Sequence, residues 1–143
     1  MIVDANLLLY ATDSSSVHHD KAAYWLETAL SGNRRVGLPL QTISAFLRIS
    51  TNPRVWNRPI TPAQAWQRTR AWLDASPAWV PAAGARTAEV LGELVMRYHL
   101  SANLVPDATL AALALEHGLV VMSADTDFAR FSEIRWENPL SDI

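Results

Sequence analysis

Three aspartates set far apart, Asp4, Asp107 and Asp125, carry the clearest chemical signal in this 143-residue sequence. Asp4 closes a short apolar run, Met-Ile-Val, where a carboxylate beside a buried strand is costly unless it is paired or bound to a cation. Asp125 lies just past another apolar run, Leu119–Ser123, and Asp127 follows two residues later. Asp107 comes directly after Pro106. Each has an ordinary reading as well: Asp107 could cap a helix or favour its N-terminal dipole, and Asp125-Thr126-Asp127 could be a polar turn. Crowded together, however, such carboxylates repel one another unless a cation sits among them, and hard divalent ions prefer oxygen ligands. A Mg²⁺ ion held this way can lower the pKa of a water and neutralise a departing oxygen, which is phosphodiester hydrolysis. One metal or two would serve.

The elements around these acids alternate. Residues 1–4 read as a strand, and His19–Leu30 has helical spacing with Ala22, Ala23, Leu26 and Leu30 on one side. Val36–Leu40 is a second strand, closed by Pro39, and Thr42–Ser50 a helix with Ile43, Phe46 and Leu47 on its apolar face. Asn52–Pro59 reads as a loop. Thr61-Pro62-Ala63-Gln64 then combines an N-cap, a proline at the first helical position and a capping glutamine, which predicts a helix to about Ala75. A strand near Trp79–Pro81, a helix from about Arg86 to Tyr98, a helix opened by Pro106-Asp107 through Glu116 and stopped by Gly118, the strand Leu119–Ser123 and a last strand near Ile134–Trp136 follow. Strands alternating with helices imply a single α/β domain over residues 1–143, its central sheet mainly parallel and covered on both faces. Ligands in such folds sit beyond the carboxyl ends of the strands, where Asp4 and Asp125 fall. Asp107, at the start of the helix leading into the fourth strand, belongs at the same edge.

Composition narrows the function classes. The chain has no cysteine, which removes disulfides, thiolate nucleophiles and cysteine zinc sites. The four histidines flank helix ends and are not spaced with acids as a zinc site demands. The apolar runs are strand-length and no basic segment precedes an apolar one at the start, so a cytoplasmic protein with no membrane segment is expected. Net charge is −2, yet the stretch from Thr28 to Leu73 has no acid and carries Arg34, Arg35, Arg48, Arg54, Arg58, Arg68 and Arg70 with Trp56, Trp66 and Trp72 interleaved. These arginines either line solvated helix faces or form a basic face for nucleic acid, with Arg48, Arg54 and Arg58 the candidate RNA contacts.

The opening Met-Ile-Val-Asp4-Ala-Asn6-Leu-Leu-Leu-Tyr10-Ala resembles that of PIN-domain ribonucleases, specifically the VapC toxins of bacterial toxin–antitoxin pairs. The likeness continues through Leu38-Pro39-Leu40-Gln41-Thr42-Ile43-Ser44-Ala45-Phe46-Leu47-Arg48, Pro106-Asp107-Ala-Thr-Leu-Ala-Ala-Leu-Ala and Ser123-Ala-Asp125-Thr-Asp127-Phe128, in the family's order along nearly the whole chain. The resemblance implies a three-layer α/β/α sandwich, Mg²⁺ or Mn²⁺ dependence, a homodimer, and inhibition by a cognate VapB antitoxin. It assigns metal ligation to Asp4, Asp107 and Asp125, with Asp127 as a further ligand or its support and Asn6 supporting the first acid. It also implies RNA fragments ending in 5′-phosphate and 3′-hydroxyl. The chain departs from the family at Ala45, where a glutamate is usual; Gln41, one helical turn earlier, could face the same site but is neutral.

Two other readings compete. A phosphatase or phospho-acceptor using Asp4 as nucleophile would want a second aspartate where Asn6 stands, or a late lysine, whereas the one lysine is Lys21. A fold that only binds RNA or a protein, disabled by the missing glutamate, is the non-enzymatic alternative.

Overall fold

The computed structural model describes residues 1–142. Five short parallel strands, β1 (Ile2–Val3), β2 (Val36–Gly37), β3 (Ala78–Trp79), β4 (Val121–Met122) and β5 (Trp136–Glu137), form one sheet in the order β3-β2-β1-β4-β5. The helices are α1 (Ala5–Thr12), α2 (His19–Leu30), α3 (Leu40–Ser50), α4 (Pro62–Leu73), α5 (Ala85–Tyr98) and α6 (Leu104–His117), and a 3₁₀ turn covers Thr126–Arg130.

Strand periodicity explains the layering. Successive residues of β1 and β4 point to opposite faces, so Val3 and Met122 enter one hydrophobic cluster while Ile2 and Val121 enter the other. The first face is covered by Leu7 and Leu8 of α1, Leu26 of α2, Phe46 of α3 and Ala65 of α4. The second is covered by Val90 and Leu94 of α5, Leu110 and Leu113 of α6, and Phe128 and Phe131 of the turn region. The expected α/β/α sandwich is therefore present. Ladder bonds extend beyond the strand cores, as from Asp4 N to the Met122 carbonyl (3.0 Å) and from Ser123 N to the Glu137 carbonyl (3.1 Å), which fixes the residues leaving the sheet at its carboxyl edge.

The capping box at α4 is complete: Thr61 Oγ1 accepts from Gln64 N at 3.1 Å and Gln64 Oε1 accepts from Thr61 N at 2.9 Å. Gly118 ends α6 with φ 66°, a left-handed conformation that costs glycine little. Several boundaries differ from the sequence expectation. Helix α1 went unrecognised because its Leu7-Leu8-Leu9 run is buried on nearly every side and shows no 3.6-residue alternation. Helix α6 begins at Leu104, before the proline expected to open it; Pro106 sits in the first turn, where a missing N–H loses no helical bond. Likewise α3 begins at Leu40, directly after Pro39, and β5 is displaced to Trp136–Glu137. No described helix is long and apolar enough to cross a membrane.

Candidate metal centre

Four aspartates reach the carboxyl edge of the sheet, each delivered by a different local device. Asp4 leaves β1 in extended conformation and caps α1, its Oδ1 accepting from Ala5 N at 2.8 Å. Asp125 leaves β4 and caps the 3₁₀ turn, its Oδ1 accepting from Asp127 N at 2.8 Å. Asp127 lies in the first turn of that segment, and Asp107 in the first turn of α6. Helix starts carry partial positive charge, so each acid is locally tolerable there.

The tightest grouping is Asp107, Asp125 and Asp127, which each place a carboxylate oxygen within 4.8 Å of the others. Asp4 stands one step behind it. Its Oδ2 accepts from Ser123 Oγ at 2.7 Å and from Asn6 Nδ2 at 3.3 Å, so both of its oxygens have protein donors. Asp107, by contrast, accepts no hydrogen bond among the described residues although it is half-buried. Burial, then the charges of Asp125, Asp4 and Asp127, push its carboxyl up to about 7, against the weaker pull of Arg130. Burial also raises Asp4, opposed by its bonds from Ser123 and Ala5. A half-buried carboxylate without a donor, facing two others, is the arrangement a divalent cation would relieve, and the all-oxygen donor set fits Mg²⁺ or Mn²⁺.

The supporting residues are unequal in what the sequence revealed. Asn6 bridges the two central strands, with Nδ2 donating to Ser123 Oγ (3.1 Å) and Oδ1 accepting from Ala124 N (3.4 Å). Ser123, which sequence reasoning passed over as the end of a strand, is fully buried and also accepts from Asp125 N at 3.0 Å. Its signals in the sequence are a small polar residue closing the apolar run 119–122 and its place at the head of the Ser123–Phe128 motif. Gln41 donates through Nε2 to the Pro106 carbonyl at 2.7 Å, tying α3 to the start of α6, and its Oε1 is buried without a partner among the described residues. Gln41, Ala45 and Arg48 of α3 line one cavity of roughly 310 Å³ with Asp4 and Asp107. Arg54 and Arg58 sit instead on the exposed 51–61 connection, where Arg58 Nη1 donates to Ser14 Oγ at 3.3 Å. The histidines lie elsewhere: His19 contacts the Tyr10 carbonyl and His117 the Ala82 carbonyl.

Comparison with known proteins identifies the family. A family model for the PIN domain matches residues 1–134. Ribonuclease VapC37 of Mycobacterium tuberculosis is 41% identical over 138 residues, covering 96% of each chain. Ribonuclease VapC33 of the same species is 35% identical over 140 residues, covering 98% of each. Among solved structures, VapBC2 of Rickettsia felis bound to a promoter DNA fragment superposes with a TM-score of 0.70 at 16% identity, covering 96% of each chain. M. tuberculosis VapC20, described as a sarcin–ricin loop cleaving toxin, gives 0.68 at 18% identity over 94% of this chain and 98% of that one. Matched over nearly its whole length by these relatives, the chain belongs to the PIN-domain family, within its VapC ribonucleases.

Proposed function

We propose that this protein is a Mg²⁺- or Mn²⁺-dependent endoribonuclease toxin acting in the cytoplasm as a homodimer and restrained by a VapB-type antitoxin. The observation that carries the reading is the convergence of Asp107, Asp125 and Asp127 within 4.8 Å, with Asp107 accepting from no donor among the described residues. These three carboxylates would hold the cation, and Asp4, fixed by Ser123 and Asn6, would add negative charge from behind. The family's usual glutamate is replaced by Ala45, so Asp127 becomes the natural third oxygen donor, and Gln41 contributes only a neutral carbonyl nearby.

A cation at this position supplies water activation and charge neutralisation. The chain's own part is to bind and orient. Water attacks the phosphorus, the bond to the 3′ oxygen breaks, and the fragments carry 5′-phosphate and 3′-hydroxyl. Single-stranded or looped RNA suits an open edge of this kind because its bases are free to splay away. The antitoxin reading draws on the neighbouring VapBC assemblies, and a guanidinium inserted among the carboxylates would substitute for the metal's charge.

RNA-end sequencing after induced expression in a bacterial host tests the proposal. New 5′-phosphorylated ends at a small set of sites are expected; a pattern of ends identical to the uninduced host would overturn it. Arg54 and Arg58 are proposed to contact RNA phosphates away from the cleavage point, since both are exposed on one connection. Arg54→Glu should weaken RNA binding and reduce the salt slope by about one; an unchanged slope would return these arginines to a solvated surface.

A further inference from the structure

Two guanidinium groups border the carboxylates from opposite flanks. Arg48 belongs to α3, which follows β2, and it shares the roughly 310 Å³ cavity with Asp4 and Asp107. It makes no hydrogen bond or ion pair among the described residues. A free cation that lines a cavity with two carboxylates, yet pairs with neither, leaves room for something between them. Ala45, three residues before it on the same helix, contributes only a methyl group to that space.

Arg130 belongs to the 3₁₀ turn that follows β4. Its Nε donates to the Asp127 carbonyl at 3.1 Å and its Nη2 lies 3.3 Å from Asp127 Oδ1. Both side chains of that pair are more than a third exposed, at 37% and 46%. Such a solvent-exposed contact is weakly held and exchanges readily for a better anion. The sheet order β2-β1-β4 sets α3 on one side of Asp4 and Asp125 and the turn on the other.

Electrostatics says why both flanks matter. A polyanionic strand approaching four carboxylates is repelled, and a cation among the carboxylates offsets that repulsion only at the phosphate being cleaved. The neighbouring phosphates need their own positive charge, and the planar guanidinium fork matches phosphate oxygens better than any other side chain.

We propose that the RNA strand crosses the carboxyl edge of the sheet from α3 to the 3₁₀ turn, Arg48 holding a phosphate on one side of the scissile linkage and Arg130 a phosphate on the other. The proposal rests on the ribonuclease reading above. Its occupant is a single strand of phosphodiester, recognised by charge spacing and independent of base identity.

Neutral-phosphate scanning tests it. Single-stranded RNA oligonucleotides spanning a cleavage site found by end sequencing are each given one uncharged methylphosphonate at successive linkages, and kcat/KM is measured for the wild type, Arg48→Ala and Arg130→Ala. The wild type should lose about tenfold at one linkage on each side of the cut, the size of one lost charge-assisted contact. Arg48→Ala should lose about tenfold on the unmodified RNA and then be indifferent to neutralisation on one side only; Arg130→Ala should be indifferent on the other side only. Arg48→Lys should recover part of the loss and the sensitivity with it. Thermal melts separate misfolding from contact loss, and a variant that melts early is replaced by its lysine counterpart in the same scan. Variants as sensitive as the wild type at every linkage, or both insensitive on the same side, overturn the strand path while leaving the ribonuclease intact. If the wild type generates no RNA ends, the ribonuclease reading fails and the strand path fails with it.

Discussion

Asp107→Asn is expected to lower RNA cleavage about a thousandfold or more, a barrier increase of roughly 4 kcal/mol or above, while making the metal-free protein more stable at neutral and alkaline pH. The two effects share one cause. Burial and the charges of Asp125, Asp4 and Asp127 carry the Asp107 carboxyl from an ordinary 3.8 up to about 7 in the folded protein. Between those values the folded state holds a proton that the unfolded chain has released, so stability falls as pH rises from about 4 to 7 and the penalty is fully present above that window. Asparagine keeps the shape and removes the charge, so the variant should show a flatter stability profile and a higher melting temperature than the wild type at pH 8. A divalent cation does for the wild type what the substitution does for the variant, but only the wild type retains the third carboxylate. Mn²⁺ should therefore raise the wild-type melting temperature more at pH 8 than at pH 5, and have little effect on the variant. Melting curves at both pH values, with and without Mn²⁺, and single-turnover cleavage of labelled RNA check this. Cleavage retained within a few fold, or an equal Mn²⁺ shift in the variant, would remove Asp107 from the site.

What made the fold legible was local chemistry that needs no partner. The Thr61–Gln64 capping box, the glycine stop at Gly118 and the apolar runs at 2–3 and 119–122 each specify their element by themselves, and all four stand in the structure. The α1 segment did not announce itself because Ala5, Leu7, Leu8, Leu9 and Ala11 are all buried: periodicity arises from a polar face, and this helix has almost none. The candidate site divides in the same way. Acids at strand ends and at a helix start are visible as sequence features, whereas the distances among them depend on sheet order. Asp125 and Asp127 are two residues apart and share a turn, so their proximity is local. That Asp107 joins them, and that Asp4 instead turns to Ser123, is decided by the docking of α6 and by a hydrogen bond spanning 119 positions. Arg130 escaped notice for a related reason: its relevance comes from the 3₁₀ turn that folds it back on Asp127.

Ser123→Ala is expected to cost about 2–4 kcal/mol of folding stability and roughly 10–100-fold in Mn²⁺ affinity, although the residue touches no metal. A serine hydroxyl has one proton to donate and two lone pairs to accept with, and here all three are used: Oγ donates to Asp4 Oδ2 and accepts from Asn6 Nδ2 and from Asp125 N. Its surroundings are closed to solvent, at 0% exposure, so no water takes over when the oxygen is removed. The alanine variant would leave the Asp125 amide without an acceptor and deprive the Asp4 carboxylate of its shortest donor. Burial already disfavours the charged form of Asp4, and the Ser123 bond is the largest influence opposing it, so the variant should protonate Asp4 more readily and weaken its contribution to the cluster. Ser123→Thr separates the two consequences. It retains the hydroxyl but forces a methyl group into a filled site, an overpacking cost of about 1–3 kcal/mol, and so should lose stability while keeping Mn²⁺ affinity near the wild type. Urea denaturation and calorimetric Mn²⁺ titration on both variants read the difference. If alanine and threonine reduce metal affinity alike, Ser123 acts through packing; if only alanine does, the hydroxyl is what holds two carboxylates from two strands in position for a cation.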